Sequence, residues 1–128
     1  MLSPRSRLQR SADIGRVRQH GRRCAHPMAV LFVARQVDGE AADSRFAFAV
    51  GRHIGVAVRR NRVRRRLREI VRLNIDQLEP GYDCLFVIRP GAVKADNEAL
   101  EQAVLQLLSR GGVLKREDTK SVPEGSQP

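Results

Sequence analysis

The segment VAVRRNRVRRRLREIVR, Val56 to Arg72, carries eight arginines and one glutamate in seventeen residues. No core can close around such a segment, because unpaired guanidinium groups are almost never fully buried. Its period still allows it into a folded protein. At about 3.6 residues per turn, Val63, Leu67, Ile70, Val71 and Asn74 fall on one side. Asn61, Arg64, Arg65, Arg68 and Arg72 fall on the opposite side, Arg60 flanks the apolar stripe, and Arg62 and Arg66 lie across from Arg60. The spacing predicts an amphipathic helix over 56–74, docked by one face and presenting guanidinium on the rest.

The rest of the chain must supply the surface on which that stripe docks. Ser11 is a helix N-cap type, with Asp13 in the first turn and Gly21 as a stop, so a short helix is expected over 12–20 with Ile14 and Val17 on one face. MAVLFVA, 28–34, reads as a buried strand, and RFAFAV, 45–50, as a strand with a bulky face and a small one. QVDGEAAD, 36–43, is a turn region and GRHIG, 51–55, a glycine-bounded loop. After the turn EPGYD comes a second buried run, CLFVI, 84–88. A last helix, 97–109, is capped by Asp96 or Asn97 and apolar along Leu100, Val104, Leu107 and Leu108. The elements form an α+β chain, a small α/β sandwich in one domain over 11–114. Residues 1–10 are expected to be a basic flexible arm, and KREDTKSVPEGSQP, 115–128, a disordered polar tail.

Lys plus Arg outnumber Asp plus Glu by 24 to 14, a net charge of +10, which argues for a polyanionic partner. Mixed charge runs on helices are usually only solvated faces. Glu69 can pair with Arg65 or Arg66 one turn back, or with Arg72, but it cannot neutralise eight arginines. Arginine in place of lysine favours phosphate, which its planar fork binds bidentately. Asn61 adds a neutral group able to donate and accept. No apolar run approaches the roughly 20 residues of a bilayer span, and the N-terminus lacks the apolar centre of a signal peptide, so a cytoplasmic chain without membrane contact is expected. Cys24 and Cys84 stand alone, outside any Cys-x-x-Cys pair, and read as two thiols. The carboxylates are scattered, and His20, His26 and His53 have neither triad nor metal-ligand spacing, so no catalytic or metal-ligating residue is expected in the protein.

GRHIGVAVRRNRVRRRLRE closely resembles the signature of the bacterial ribonuclease P protein family. The matching positions are a basic turn at Arg52 and His53, then Gly55, Ala57 and Val58, then Arg60, Asn61 and Arg62, then Arg64 and Arg65, then Arg68 and Glu69. RSADIGRVRQHGRR resembles the family's first helix, PGYDCLFVIRPGA its last strand, and LEQAVLQLL its last helix, covering roughly residues 5–114. The resemblance implies the order α-β-β-β-α-β-α, with a left-handed crossover through the basic helix, against the usual right-handed rule. It implies an accessory subunit of an endoribonuclease whose catalytic RNA uses Mg2+ to remove the 5′ leader of precursor tRNA. The partners would be the ribonuclease P RNA and the leader, with no protein partner required. Arg60, Asn61, Arg62, Arg64, Arg65 and Arg68 would face the RNA subunit, and Ile14, Arg18 and Phe32 would line a leader cleft. The chain departs from the family pattern at Ile14 and Arg18, where Phe is common, and at Gly51 and His53, which replace Ser and Lys.

Other readings remain open on sequence alone. One is an RNA-binding or ribosome-associated basic protein with no nuclease role. A helix-turn-helix reader would need a second helix beside the basic one, where the chain instead has a strand and a glycine loop. A self-sufficient nuclease would need a carboxylate cluster assembled by folding. A membrane-surface helix would need the apolar stripe that the strands require as core.

Overall fold

The computed structural model of the chain describes residues 2–37 and 43–115. Its regular elements are α1 (Ser11–His20), β1 (Arg22–His26), β2 (Ala29–Arg35), β3 (Arg45–Ala49), α2 (Ala57–Leu73), β4 (Tyr82–Ile88), a short α3 (Gly91–Lys94) and α4 (Asn97–Arg110). Single 3-10 turns lie at Pro4–Ser6, Arg52–Ile54 and Ile75–Gln77. The strands form a four-stranded mixed sheet in the order β1-β2-β4-β3. β1–β2 and β2–β4 pair antiparallel, whereas β3–β4 pair parallel. Parallel neighbours need a crossover connection, and α2 lies in the connection between β3 and β4.

Position in the sheet explains the two kinds of strand pattern. β4 is internal and covered on both faces, so Cys84, Leu85 and Phe86 are each no more than 1% exposed and CLFVI reads as a continuous apolar run. β3 is an edge strand and keeps its alternation. Phe46 and Phe48 enter the main core, where Phe48 stacks on Phe86 with centroids 5.4 Å apart. Ala47 and Ala49 turn to the other face, beside Val17, Leu85 and Phe32. The main core lies between the sheet and the α2–α4 pair, and α1 packs on the opposite face.

The helices follow their predicted faces. α2 buries Val63, Leu67, Ile70 and Val71. Asn74, just past its end, is also buried, and its amide donates to Ile70 O and to Glu101 Oε2, each at 2.8 Å. α4 is capped by Asp96, whose Oδ1 accepts from the Ala99 N–H at 2.8 Å.

The structure differs from the sequence expectations at several places. The N-cap of α1 is Arg10, with Ser11 the first helical residue and no side-chain cap. The implied order has three strands before the basic helix where the sequence reading places two, and the unplaced one is the first, β1, RRCAH. Its residues give no apolar signal because it is an edge strand with Arg22 and Arg23 exposed. The expected flexible arm is instead held in place over residues 2–8. Leu2 and Leu8 are 2% and 3% exposed, and the Leu8 N–H donates to Phe46 O at 2.9 Å, extending the sheet beyond β3. Two leucines at the right spacing outweigh the basic composition around them, since each buried leucine contributes on the order of 2 kcal/mol. At the other end, the Lys115 N–H donates to Gln77 O. The rest of the expected tail, 116–128, lies outside the described residues, as does most of the turn region 36–43.

Candidate nucleic-acid interface

The basic helix is launched by a turn that requires glycine. Gly55 has φ +141°, and a β-carbon there would meet Arg59 Cδ at 2.8 Å. The Gly55 N–H closes the 3-10 turn onto Arg52 O at 3.1 Å, and its carbonyl accepts from Arg60 Nε at 3.1 Å. Arg60 is thereby committed to its own helix start. Gly55→Ala is expected to lower stability by about 1–2 kcal/mol, through strain at this φ. The check is the midpoint of urea denaturation, and an unchanged midpoint would show that the turn relaxes freely.

The arginines of α2 divide into held and open groups. Arg66 spans to α4, donating to Asn97 Oδ1 at 2.9 Å and to Ala95 O at 2.6 Å. Arg72 donates through Nε to Glu69 Oε1 at 3.0 Å. That bond holds the Glu69 carboxyl below its ordinary pKa and the Arg72 guanidinium above its own. Arg64 donates to Asn61 Oδ1 at 2.9 Å, which leaves the Asn61 amide nitrogen without a bond to the described residues. Arg59, Arg62, Arg65 and Arg68 have no hydrogen-bond or ion-pair partner among the described residues. Burial pushes the Arg68 pKa down, and the neighbouring Arg7 and Arg64 guanidiniums push it further. Crowding of this kind is relieved by an anion.

All six arginine-helix positions predicted to face RNA therefore lie on α2 outside its buried stripe. Of these six, Arg62, Arg65 and Arg68 have no partner among the described residues, and Arg60 serves the turn. Arg52 and His53 are exposed on the 3-10 turn before the helix, where Gly51 lets the imidazole pack at 2.8 Å from the position of a β-carbon. Arg7 was missed by sequence reasoning. It reaches this surface because Leu2 and Leu8 pin the segment, and its Nε donates to Leu2 O at 3.0 Å.

The opposite face of the sheet holds the second candidate surface. Ile14 and Phe32 join one apolar cluster with Leu8, Val17, Leu85 and Val87. Phe32 pairs in register with Leu85 on one side and Arg23 on the other. Its neighbours on this face include Ala34, Ala47 and Ala49, whose small side chains leave the ring half-exposed beside α1. Arg18, one turn beyond Ile14, is exposed and has no partner among the described residues. α1 is tied to the sheet by Asp83, which is fully buried and accepts from Arg16 Nη2 at 2.6 Å and from Arg45 Nε and Nη2 at 2.8 and 2.7 Å. Sequence reasoning gave Asp83 only a turn role, since its partners come from α1 and β3.

Among the described residues, no group of three or more His, Cys, Asp or Glu side chains is placed to hold a metal ion. Cys24 and Cys84 are free thiols in the core, and burial with the adjacent Asp83 carboxylate pushes the Cys84 thiol strongly up. Among the described residues, no helix is long and apolar enough to cross a membrane.

Comparison with known proteins agrees with this geometry. The model of the family described as Ribonuclease P matches residues 2–112. The chain is 41% identical over 104 residues to the ribonuclease P protein component of Herpetosiphon aurantiacus, covering 81% of this chain and 82% of that protein. It is 41% identical over 118 residues to that of Chloroflexus aggregans, covering 91% and 85%. Among solved structures, the Thermotoga maritima RNase P protein superposes with a TM-score of 0.74 at 27% identity, covering 83% of this chain and 97% of that one. The Staphylococcus aureus RNase P protein gives a TM-score of 0.77 at 20% identity, covering 86% and 98%, a likeness of fold. The family match runs from the pinned N-terminal segment through α4, and the chain therefore belongs to the ribonuclease P protein family.

Proposed function

We propose that this chain is the subunit of ribonuclease P that grips the catalytic RNA through α2 and the 5′ leader of precursor tRNA through the cleft between α1 and the sheet. The observation that carries the reading is the open guanidinium set: Arg62, Arg65 and Arg68 have no partner among the described residues, on a helix whose other face is locked into the core. Phosphates of a folded RNA supply what those groups lack. Asn61, with its oxygen taken by Arg64, offers a directional donor between them. Ile14 and Phe32 offer an apolar shelf to unstacked leader bases, and Arg18 offers a planar cation that stacks or binds phosphate.

Chemistry at the scissile phosphate is assigned to the RNA and the Mg2+ ions bound there. The protein's donor set fits that division, since the open groups of α2 are cations, which do not ligate metal. In this reading the protein contributes binding and charge neutralisation, and with them endonucleolytic release of the mature tRNA 5′ end.

Replacing both Arg62 and Arg65 with Ala should weaken binding to the ribonuclease P RNA about tenfold. It should also lower the slope of log K against log salt by about 0.7–0.9 for each phosphate that is no longer neutralised. The measurement is a binding titration across salt concentrations. Unchanged affinity and slope would remove α2 from the interface. Cleavage of a precursor tRNA at low Mg2+, by RNA with protein and by protein alone, separates an accessory subunit from a protein nuclease.

A further inference from the structure

We infer that the groove between α2 and α4 holds one unstacked nucleotide of the partner RNA, its base on Leu73 and the α4 polar groups and its phosphate on Arg62 and Arg65. The groove has a volume of about 440 Å³ and is lined by Arg62, Arg65, Ile70, Leu73, Asn97 and Glu101. That volume lies within the roughly 300–1,000 Å³ typical of small-molecule sites. This inference rests on the RNA-binding reading and names a recognition element within it.

Three features set the occupant and its direction. The floor is aliphatic: Ile70 is 6% exposed, and Leu73, lining the same groove, is 62% exposed. A planar base laid on such a floor removes both surfaces from water. The rim carries Arg62 and Arg65, which have no partner among the described residues. The α4 end carries polar groups already held in place. Arg66 closes that end by bonding Asn97 Oδ1 and Ala95 O, so the Asn97 amide nitrogen remains to donate. Glu101 is fixed by Asn74 through Oε2, so Oε1 remains to accept. A phosphate at that end would be repelled by Glu101, but a base edge offers both an N–H and an acceptor. Base toward α4 and phosphate toward Arg62 and Arg65 is the orientation that satisfies both ends. A regular duplex keeps its bases stacked and cannot enter, so the site selects a bulge or an unpaired joint. A partner helix would have to match cations at the rim with acids and cations within.

The test uses the full chain with its ribonuclease P RNA. Leu73→Ser removes the platform without adding charge, and at such exposure it should fold as the parent does, which a thermal melt checks. It should bind the RNA about tenfold more weakly at fixed salt, from lost apolar burial, with the salt slope unchanged. Arg62→Ala should instead lower the slope. Leu73→Cys carrying a photoactivatable aryl azide should cross-link to one unpaired nucleotide. Cys24 and Cys84 are buried and leave position 73 as the accessible thiol among the described residues. Making that nucleotide abasic should reproduce the loss and not add to Leu73→Ser. Parent-like affinity of Leu73→Ser, additive losses, or cross-links to duplex backbone or to a second copy of the chain would each overturn the inference. If Arg62→Ala with Arg65→Ala also leaves RNA binding unchanged, the RNA-binding reading fails with it. If only Leu73→Ser is silent, the groove assignment fails alone.

Discussion

Asp83→Ala is expected to lower the unfolding free energy by about 3 kcal/mol, although position 83 touches neither proposed RNA surface directly. Its carboxylate is fully buried and takes three hydrogen bonds, one from Arg16 on α1 and two from Arg45 on β3. Removing one partner of a buried ion pair typically costs about 3–5 kcal/mol, because the other charges are left without compensation. Here the two guanidiniums are 24% and 32% exposed and can recruit some water, which places the expectation at the low end. The second effect is functional. Asp83 fastens α1 to the sheet beside the proposed leader surface, with Asp13 a weaker partner of Arg45 at 3.8 Å. Loosened, α1 should present Ile14 and Arg18 less accurately. Leader affinity should then fall more than RNA-subunit affinity, because α2 sits on the other face. Urea denaturation gives the first quantity and paired binding titrations the second. A loss below about 1 kcal/mol would mean that water and Asp13 compensate for the missing carboxylate.

Leu67→Ala should cost about 3 kcal/mol, within the range of roughly 2–5 kcal/mol for a buried leucine. Leu67 is fully buried at the middle of the α2 stripe. The substitution removes no arginine, yet the cavity it leaves lies directly beneath the RNA face. The expected result is a large stability loss and weaker RNA binding at temperatures where unfolding is appreciable. The salt slope of the folded fraction should stay at its parent value. A lowered slope would mean that the arginines had moved, and that the stripe sets their placement as well as the helix's stability. The pair Leu67→Ala and Arg62/Arg65→Ala thus separates what holds the helix from what the helix holds.

Much of this arrangement was legible in the chain. The α2 stripe could be read because a helix that is otherwise guanidinium has only one way to face a core. Strand β3 could be read because an edge strand keeps its alternation, with Ala47 and Ala49 on the face that packs beside α1. Ile14 and Phe32, two of the residues the resemblance put at a leader cleft, lie in one apolar cluster. Other features carried no local signal. β1 is a polar edge strand, and its pairing with β2 is a property of the partner. The packed arm at residues 2–8 was hidden by basic composition, because burial of two leucines depends on a cavity that exists only after folding.

Sequence by itself determined which residues are cations, which side of α2 they leave, and the family to which the pattern belongs. Period and composition are local quantities, and both are complete in one dimension. Tertiary structure alone decided which cations are open. Arg66 is drawn across to α4, Arg60 closes its own turn, Arg16 and Arg45 share Asp83, and Arg7 is carried to Arg68 from the far end of the chain. Whether a guanidinium is a ligand or a strut depends on the nearest acceptor in space, and those acceptors come from residues up to tens of positions away.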